Sequence, residues 1–284
     1  MMGKIKMMQE KHISNYEWNK VPAVGLLFWI AKLISTGMGE SVSDASNNIL
    51  KGMFGGNQVI GALLTILWSG GLFGVFLFKQ KRAKRYHPIY YWGAVALLAV
   101  FGTVIADSLT AALGVPIIYL VGITTVLMGL CFFLWYRATQ NLSIHQIRNS
   151  KRETYYWITV AVSFALGTLM GDWMGDHSTF DLGLGYLTAG YVLGAIFLGV
   201  LVYRLMGHPR ENGVMEILTF WIAYVLTRPI GASFSDYFCY RWDNGVLGNR
   251  EMSMVFIVLF ASVLVAIVVK YIREKHVALA YPTE

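Results

Sequence analysis

The sequence predicts an all-α polytopic membrane protein: eight transmembrane helices arranged as four parallel two-helix repeats. Three observations point there. Of 284 residues, 56% are hydrophobic and 14% charged, whereas a soluble domain carries about a quarter charged residues. Eight apolar stretches approach the ~20 residues a helix needs to cross a bilayer. The basic residues fall in short runs between those stretches, as membrane topology is written.

Other classes are excluded on the same ground. Disorder needs low hydrophobicity with high charge, and a soluble enzyme needs more polar surface. Cys131 and Cys239, two cysteines in apolar surroundings, supply neither a disulfide framework nor a thiolate metal site. A net charge of +7 invites a nucleic-acid reading, which the loop placement of the basic residues removes. Residues 1–20 are polar and the following apolar run lacks a cleavage site, so no signal peptide is expected.

The expected spans are 21–44, 58–78, 90–112, 116–136, 155–176, 184–203, 214–237 and 253–270. Barrel strands would be about 10 residues of alternating polarity; these stretches are continuously apolar and about twice as long. The tail to residue 20, the loops at 79–89, 137–154 and 204–213, and the C-terminal tail hold 18 of the 23 Lys and Arg residues. The opposite loops hold Lys51, Arg241 and Arg250, and Lys32 and Arg228 fall within spans. This asymmetry places both termini in the cytoplasm. Tyr90-Tyr91-Trp92 and Tyr155-Tyr156-Trp157, near the starts of the third and fifth spans, read as interfacial anchors. The loop at Asp181 and the turn Asp243-Asn244-Gly245 read as external connections.

A repeat underlies the pattern. Its first core lies in Gly37-Met38-Gly39-Glu40-Ser41-Val42-Ser43-Asp44 and, opening at Gly39, is matched by segments opening at Ala106, Gly171 and Gly231. Each unit is one acidic-motif helix, one plain apolar helix and a basic loop. The units divide the chain into a cytoplasmic tail at 1–20, repeats at 21–79, 90–137, 155–204 and 214–272, and a cytoplasmic tail at 273–284. Small residues recur at i and i+4 (Gly39/Ser43, Ala106/Thr110, Gly171/Gly175, Gly231/Ser235), which lets helices approach closely in lipid.

Carboxylates occupy the next positions. Glu40/Asp44 and Asp172/Asp176 are full pairs one turn apart on a common face. Asp107 keeps only the first member and Asp236 only the second, with Ala111 and Ala232 in the other places. An ionisable group in a bilayer costs at least about 2.5–3.5 kcal/mol, so these six face the interior of the bundle. Lys32, two turns before Glu40, and Arg228, before Pro229, are the charge-balancing cations within the spans. They leave a carboxylate excess that protons or bound cations must balance. Oxygen ligands suit hard ions such as Mg²⁺, Mn²⁺ or Na⁺. Asp172, Asp176 and His177 form one possible metal set, although a loop histidine is more often simply solvated. Pro229 either kinks its helix or breaks it at a cavity.

The cores Gly-x-Gly-Glu-x-x-Ser-Asp (37–44) and Gly-Asp-x-x-Gly-Asp (171–176) resemble those of an uncharacterised bacterial family of membrane-anchored proteins built from a repeated domain of unknown function. The resemblance spans nearly the whole chain. It implies a multi-pass protein of the bacterial inner membrane and no established reaction. The expected function is a transporter that exports or exchanges a small cation coupled to protons. Its partners would be the lipid bilayer, the cation and the proton, with a divalent cation as the bound species and no nucleic acid. The alternatives are an intramembrane metal-dependent enzyme using the same carboxylates, and a structural membrane protein without transport.

Overall fold

A computed structural model of the protein describes residues 19–177, 180–207, 209, 213–239 and 247–280. Among them are eight α-helices, one 3₁₀ turn (Ile144–Gln146) and no strand. The helices are α1 (Leu26–Met53), α2 (Gln58–Arg82), α3 (Pro88–Leu113), α4 (Ile117–Thr139), α5 (Ser150–Gly175), α6 (Tyr186–Gly207), α7 (Val214–Cys239) and α8 (Asn249–Ala280). The turn at Asp243-Asn244-Gly245, Arg241, Arg210 and the tail up to residue 18 lie outside the described residues.

Local chemistry sets the helix ends. The Asn57 side chain caps α2 by accepting from the Val59 and Ile60 amides at 3.0 and 3.2 Å, satisfying donors that a helix start leaves orphaned. The Asn149 side chain does the same for α5 from the Arg152 amide at 2.9 Å. Pro88 opens α3, and Gly114, in the left-handed region at φ 59°, closes it.

Seven helices, α2 to α8, are long and apolar enough to cross a membrane. The expected eighth span, α1, falls short on composition rather than length. It is 28 residues long, about 42 Å at 1.5 Å per residue, and carries Lys32, Glu40, Asp44 and several serines and asparagines. It begins at Leu26 and runs to Met53, so the acidic motif sits in its second half and not at its end. Pro229 does not break α7, which is continuous through it.

The odd-numbered helices form the inside of the bundle. Between 61% and 72% of the apolar stretches of α3, α5 and α7 are buried, against 17–22% in α2, α4, α6 and α8. α1 packs on α3, α3 on α5, α5 on α7 and α7 on α1, closing a four-helix ring. The even-numbered helices lie outside. Each makes its largest contact with the inner helix that follows it in sequence: α2 with α3, α4 with α5, α6 with α7. The last, α8, returns to α1.

Small residues make the ring tight. A Cβ at Gly39 would collide with Ala99 of α3, and one at Gly231 with Thr36 of α1. A Cβ at Gly167 would lie 2.5 Å from the Arg228 side chain. Of the other predicted packing positions, Ser43 and Ser235 are buried, Gly171 faces Pro229 and Ala232 at ordinary contact, and Gly175 packs on Tyr186 of α6.

Candidate functional site: carboxylates within the helix ring

The centre of the ring is built on Arg228 of α7, a fully buried guanidinium. Its Nη2 donates to Glu40 Oε2 of α1 at 2.7 Å and to the Thr168 hydroxyl of α5 at 2.9 Å. The same nitrogen donates to the Thr103 hydroxyl of α3. Nη1 donates to the Thr36 carbonyl at 2.8 Å. One side chain thus ties together all four inner helices. Thr36 adds a second link, its hydroxyl donating to the Thr227 carbonyl at 2.8 Å. A guanidinium serves here because its fixed fork presents several donors at once.

The three threonines were not singled out in the sequence, although a signal was present. Thr36, Thr103 and Thr168 each lie three residues before the small residue that opens an acidic motif, and Arg228 holds the same place before Gly231. Where the last segment has Ala232 in place of an acid, it supplies a cation one turn earlier.

Toward the C-terminal ends of the inner helices lies a group of carboxylates. Oxygens of Glu40, Asp44 and Asp236 all lie within 4.8 Å of one another. Glu40 and Asp236 are buried at 3% and 2% exposure, and Asp44 is half-buried. Asp236 Oδ1 is buried with no hydrogen-bond partner among the described residues. Asp44 Oδ2 accepts from the side-chain Nδ2 of Asn249, at the start of α8, at 3.1 Å. Asp107 and Asp172, both half-buried, lie within electrostatic reach of Glu40 and Asp44. Five of the six predicted acids therefore meet in one field, contributed by all four inner helices.

Asp176 lies at the edge of this group, within electrostatic reach of Asp172. It caps the C-terminal end of α5, is exposed, and accepts from the His177 amide at 2.8 Å. His177 is exposed as well. The close oxygen group is Glu40, Asp44 and Asp236, whereas the sequence pointed to Asp172, Asp176 and His177.

Lys32 occupies the next layer toward the N-terminal ends. Its ammonium lies 3.9 Å from the Phe164 ring centroid and 4.2 Å from that of Tyr224. Among the described residues it forms no ion pair, and none of the acids touches it. Beyond it the ring is filled by aromatics. The Tyr91 and Tyr156 hydroxyls meet at 2.5 Å. Phe28 packs on Phe220 and Tyr224, and Trp135 on Tyr156 and Trp221. Tyr91, Trp92, Tyr156 and Trp157, all expected as interfacial anchors, are buried here instead, while Tyr90 and Tyr155 are half-buried. At that end Lys20 pairs with the buried Glu153 at 2.6 Å, and Arg204 and His145 both reach Glu216 at 3.1 Å. These polar contacts around buried Glu153 and Glu216 had no motif to announce them.

A family model described as Repeat of Unknown Function (DUF347) matches residues 155–207 and 219–273. The family model thus matches the chain twice, in its second half. The two DUF347 matches fall on α5–α6 and α7–α8, and each holds one inner helix with its acids and one outer helix. Arg228, Asp172, Asp176 and Asp236 lie inside them. No curated protein and no solved structure matches the chain.

Proposed function

We propose that this protein is a multi-pass transporter of the bacterial inner membrane that exchanges a small hard cation for protons. The cation binds on Glu40, Asp44 and Asp236. The observation that carries this reading is the convergence of five carboxylates from four helices beside one paired guanidinium. That arrangement holds more negative charge than Arg228 and Lys32 can offset, so protons or a cation must complete it. The orphaned oxygen of Asp236 gives a ligand atom awaiting a partner, since a buried acceptor left unpaired is costly. Three carboxylates with nearby hydroxyls suit Mg²⁺, Mn²⁺ or Na⁺ over soft metals.

In this reading the cation reaches the acids from one side. The acids reach partial exposure toward the C-terminal ends of the inner helices, and aromatic packing closes the N-terminal ends. With both termini cytoplasmic, as the basic loops indicate, the open end faces outward. In this reading α1 is an eighth crossing, its polar residues shielded by the ring and not by lipid.

Four units, beyond the two that match the DUF347 model, are supported by the packing order. Each outer helix rests on the inner helix of the following unit, and the fourth closes on the first. The layers agree in register: Thr36, Thr103, Thr168 and Arg228; then Glu40, Asp107, Asp172 and Ala232; then Asp44, Ala111, Asp176 and Asp236.

The test is flux into liposomes with a panel of Mn²⁺, Mg²⁺ and Na⁺ while internal pH is followed. The reading requires cation movement accompanied by opposite proton movement. No flux of any of these ions by folded, reconstituted protein refutes it.

A further inference from the structure

Outside the ring, α2 and α3 border a groove of about 860 Å³ that no part of the inner site uses. Its floor comprises Gly71, Gly74, Val75 and Phe78, and its rim Lys79, Arg82 and Tyr90. Two of these glycines have no packing explanation. A Cβ at Gly71 or Gly74 would meet nothing within 4 Å. By contrast, a Cβ at Gly70 would lie 2.7 Å from Phe101. Gly70 therefore serves the α2–α3 joint, while the bare backbone at Gly71 and Gly74 hollows the outer face.

The groove has a polarity along its length. From Gly71 to Arg82 the helix rises about 16 Å, roughly half of a 30 Å hydrocarbon core. It therefore spans one leaflet, apolar at mid-membrane and basic at the edge that holds the α2–α3 loop. Lys79 and Arg82 make no ion pair among the described residues. Their positions over Tyr90 (5.8 Å) and Phe78 (4.3 Å) hold both cations beside the groove. The sequence has no Asp or Glu between Asp44 and Asp107, so α2, the loop and most of α3 offer no counter-charge.

We infer that this groove is a binding site for an anionic phospholipid, one acyl chain lying on Gly71 and Gly74 and the phosphate on Lys79 and Arg82. An apolar trough one leaflet deep, ending at two cations that have no ion-pair partner among the described residues, fits that chemistry. The inference needs the chain to lie in a membrane but not to carry ions, so its readout is lipid retention and not flux.

The experiment reconstitutes the protein in nanodiscs of equal phosphatidylglycerol and phosphatidylcholine, extracts it into mild detergent and identifies bound lipid by native mass spectrometry. The native chain should retain phosphatidylglycerol in clear preference. Lys79→Gln/Arg82→Gln should lose the preference while keeping its melting temperature. Gly71→Leu/Gly74→Leu should retain roughly a tenth or less of the lipid, and it should fold because both side chains enter open space. Equal retention of the two lipids by the native chain, or unchanged phosphatidylglycerol retention by both variants, overturns the assignment.

Discussion

Arg228 Nη2 on α7 and Glu40 Oε2 on α1 lie 2.7 Å apart, with both side chains almost wholly buried. The pair joins the first and last inner helices, which are 188 residues apart in sequence. It is also the point where the threonine layer and the acid layer touch. Without it, the ring has a cation on one wall and a carboxylate on the other, each desolvated.

Breaking the pair on one side should therefore be severe. Arg228→Met leaves Glu40 buried without its partner, and removing one member of a buried ion pair costs about 3–5 kcal/mol. Arg228→Met/Glu40→Met should recover most of the loss, because an apolar pair of similar volume replaces two desolvated charges. Thermal melts in detergent should show the single variant well below both the native chain and the double variant. Equal melting of single and double variants would mean that the two charges are not coupled.

The joints of the ring make a second prediction. Gly39→Leu pushes a side chain into Ala99 of α3, and such overpacking typically costs about 1–3 kcal/mol. Gly122→Leu on α4, where a Cβ would meet nothing within 4 Å, should be neutral. A lower melting temperature for the first variant alone is the expected pattern. Matching melts for both would argue against close approach of α1 and α3.

Lys32 separates a structural role from a functional one. Its ammonium rests on two aromatic faces, an attraction worth up to about 2 kcal/mol when desolvated, and burial of the amine opposes that gain. Lys32→Met keeps the volume, so stability should change by less than about 1.5 kcal/mol. If Lys32 offsets the acids through space, the variant should nonetheless bind the cation with altered pH dependence. An unchanged binding profile from pH 5 to 8 would assign Lys32 to packing alone.

How far the sequence carried depends on the type of signal. Seven helices were legible because continuous apolar runs of membrane length have few other readings. The inner and outer roles followed from the acids, since charge must turn away from lipid. The ends of α1 were not legible. The apolar residues 21–25 precede the helix, and the polar residues Ser46, Asn47 and Asn48 continue it where hydropathy suggests a stop. Their helix is supported by tertiary packing: Ser46 bonds Thr65 and Trp68 of α2 at 3.1 and 2.8 Å.

The site was legible in membership more than in grouping. Motif spacing marked Glu40, Asp44 and Asp236, but nothing local says that acids on the first and last inner helices become neighbours. That depends on ring closure, a contact between α1 and α7. Adjacency in sequence drew attention to Asp176 and His177 instead, and the end of α5 carries these out to the surface. The threonines were passed over because a hydroxyl in an apolar helix ordinarily bonds its own backbone, as the Thr103 and Thr168 hydroxyls also do here.

The most direct test of the account is calorimetric titration of Mn²⁺ and Mg²⁺ into the purified protein, native and Asp236→Asn, with proton release measured in buffers of differing ionisation enthalpy. The account predicts saturable binding of at least one ion, with protons released from the native chain. Asp236→Asn should weaken it at least tenfold, about 1.4 kcal/mol, with no loss of melting temperature. Native affinity retained by Asp236→Asn, or no binding by the native chain to these ions or to Na⁺ in a parallel titration, would contradict it.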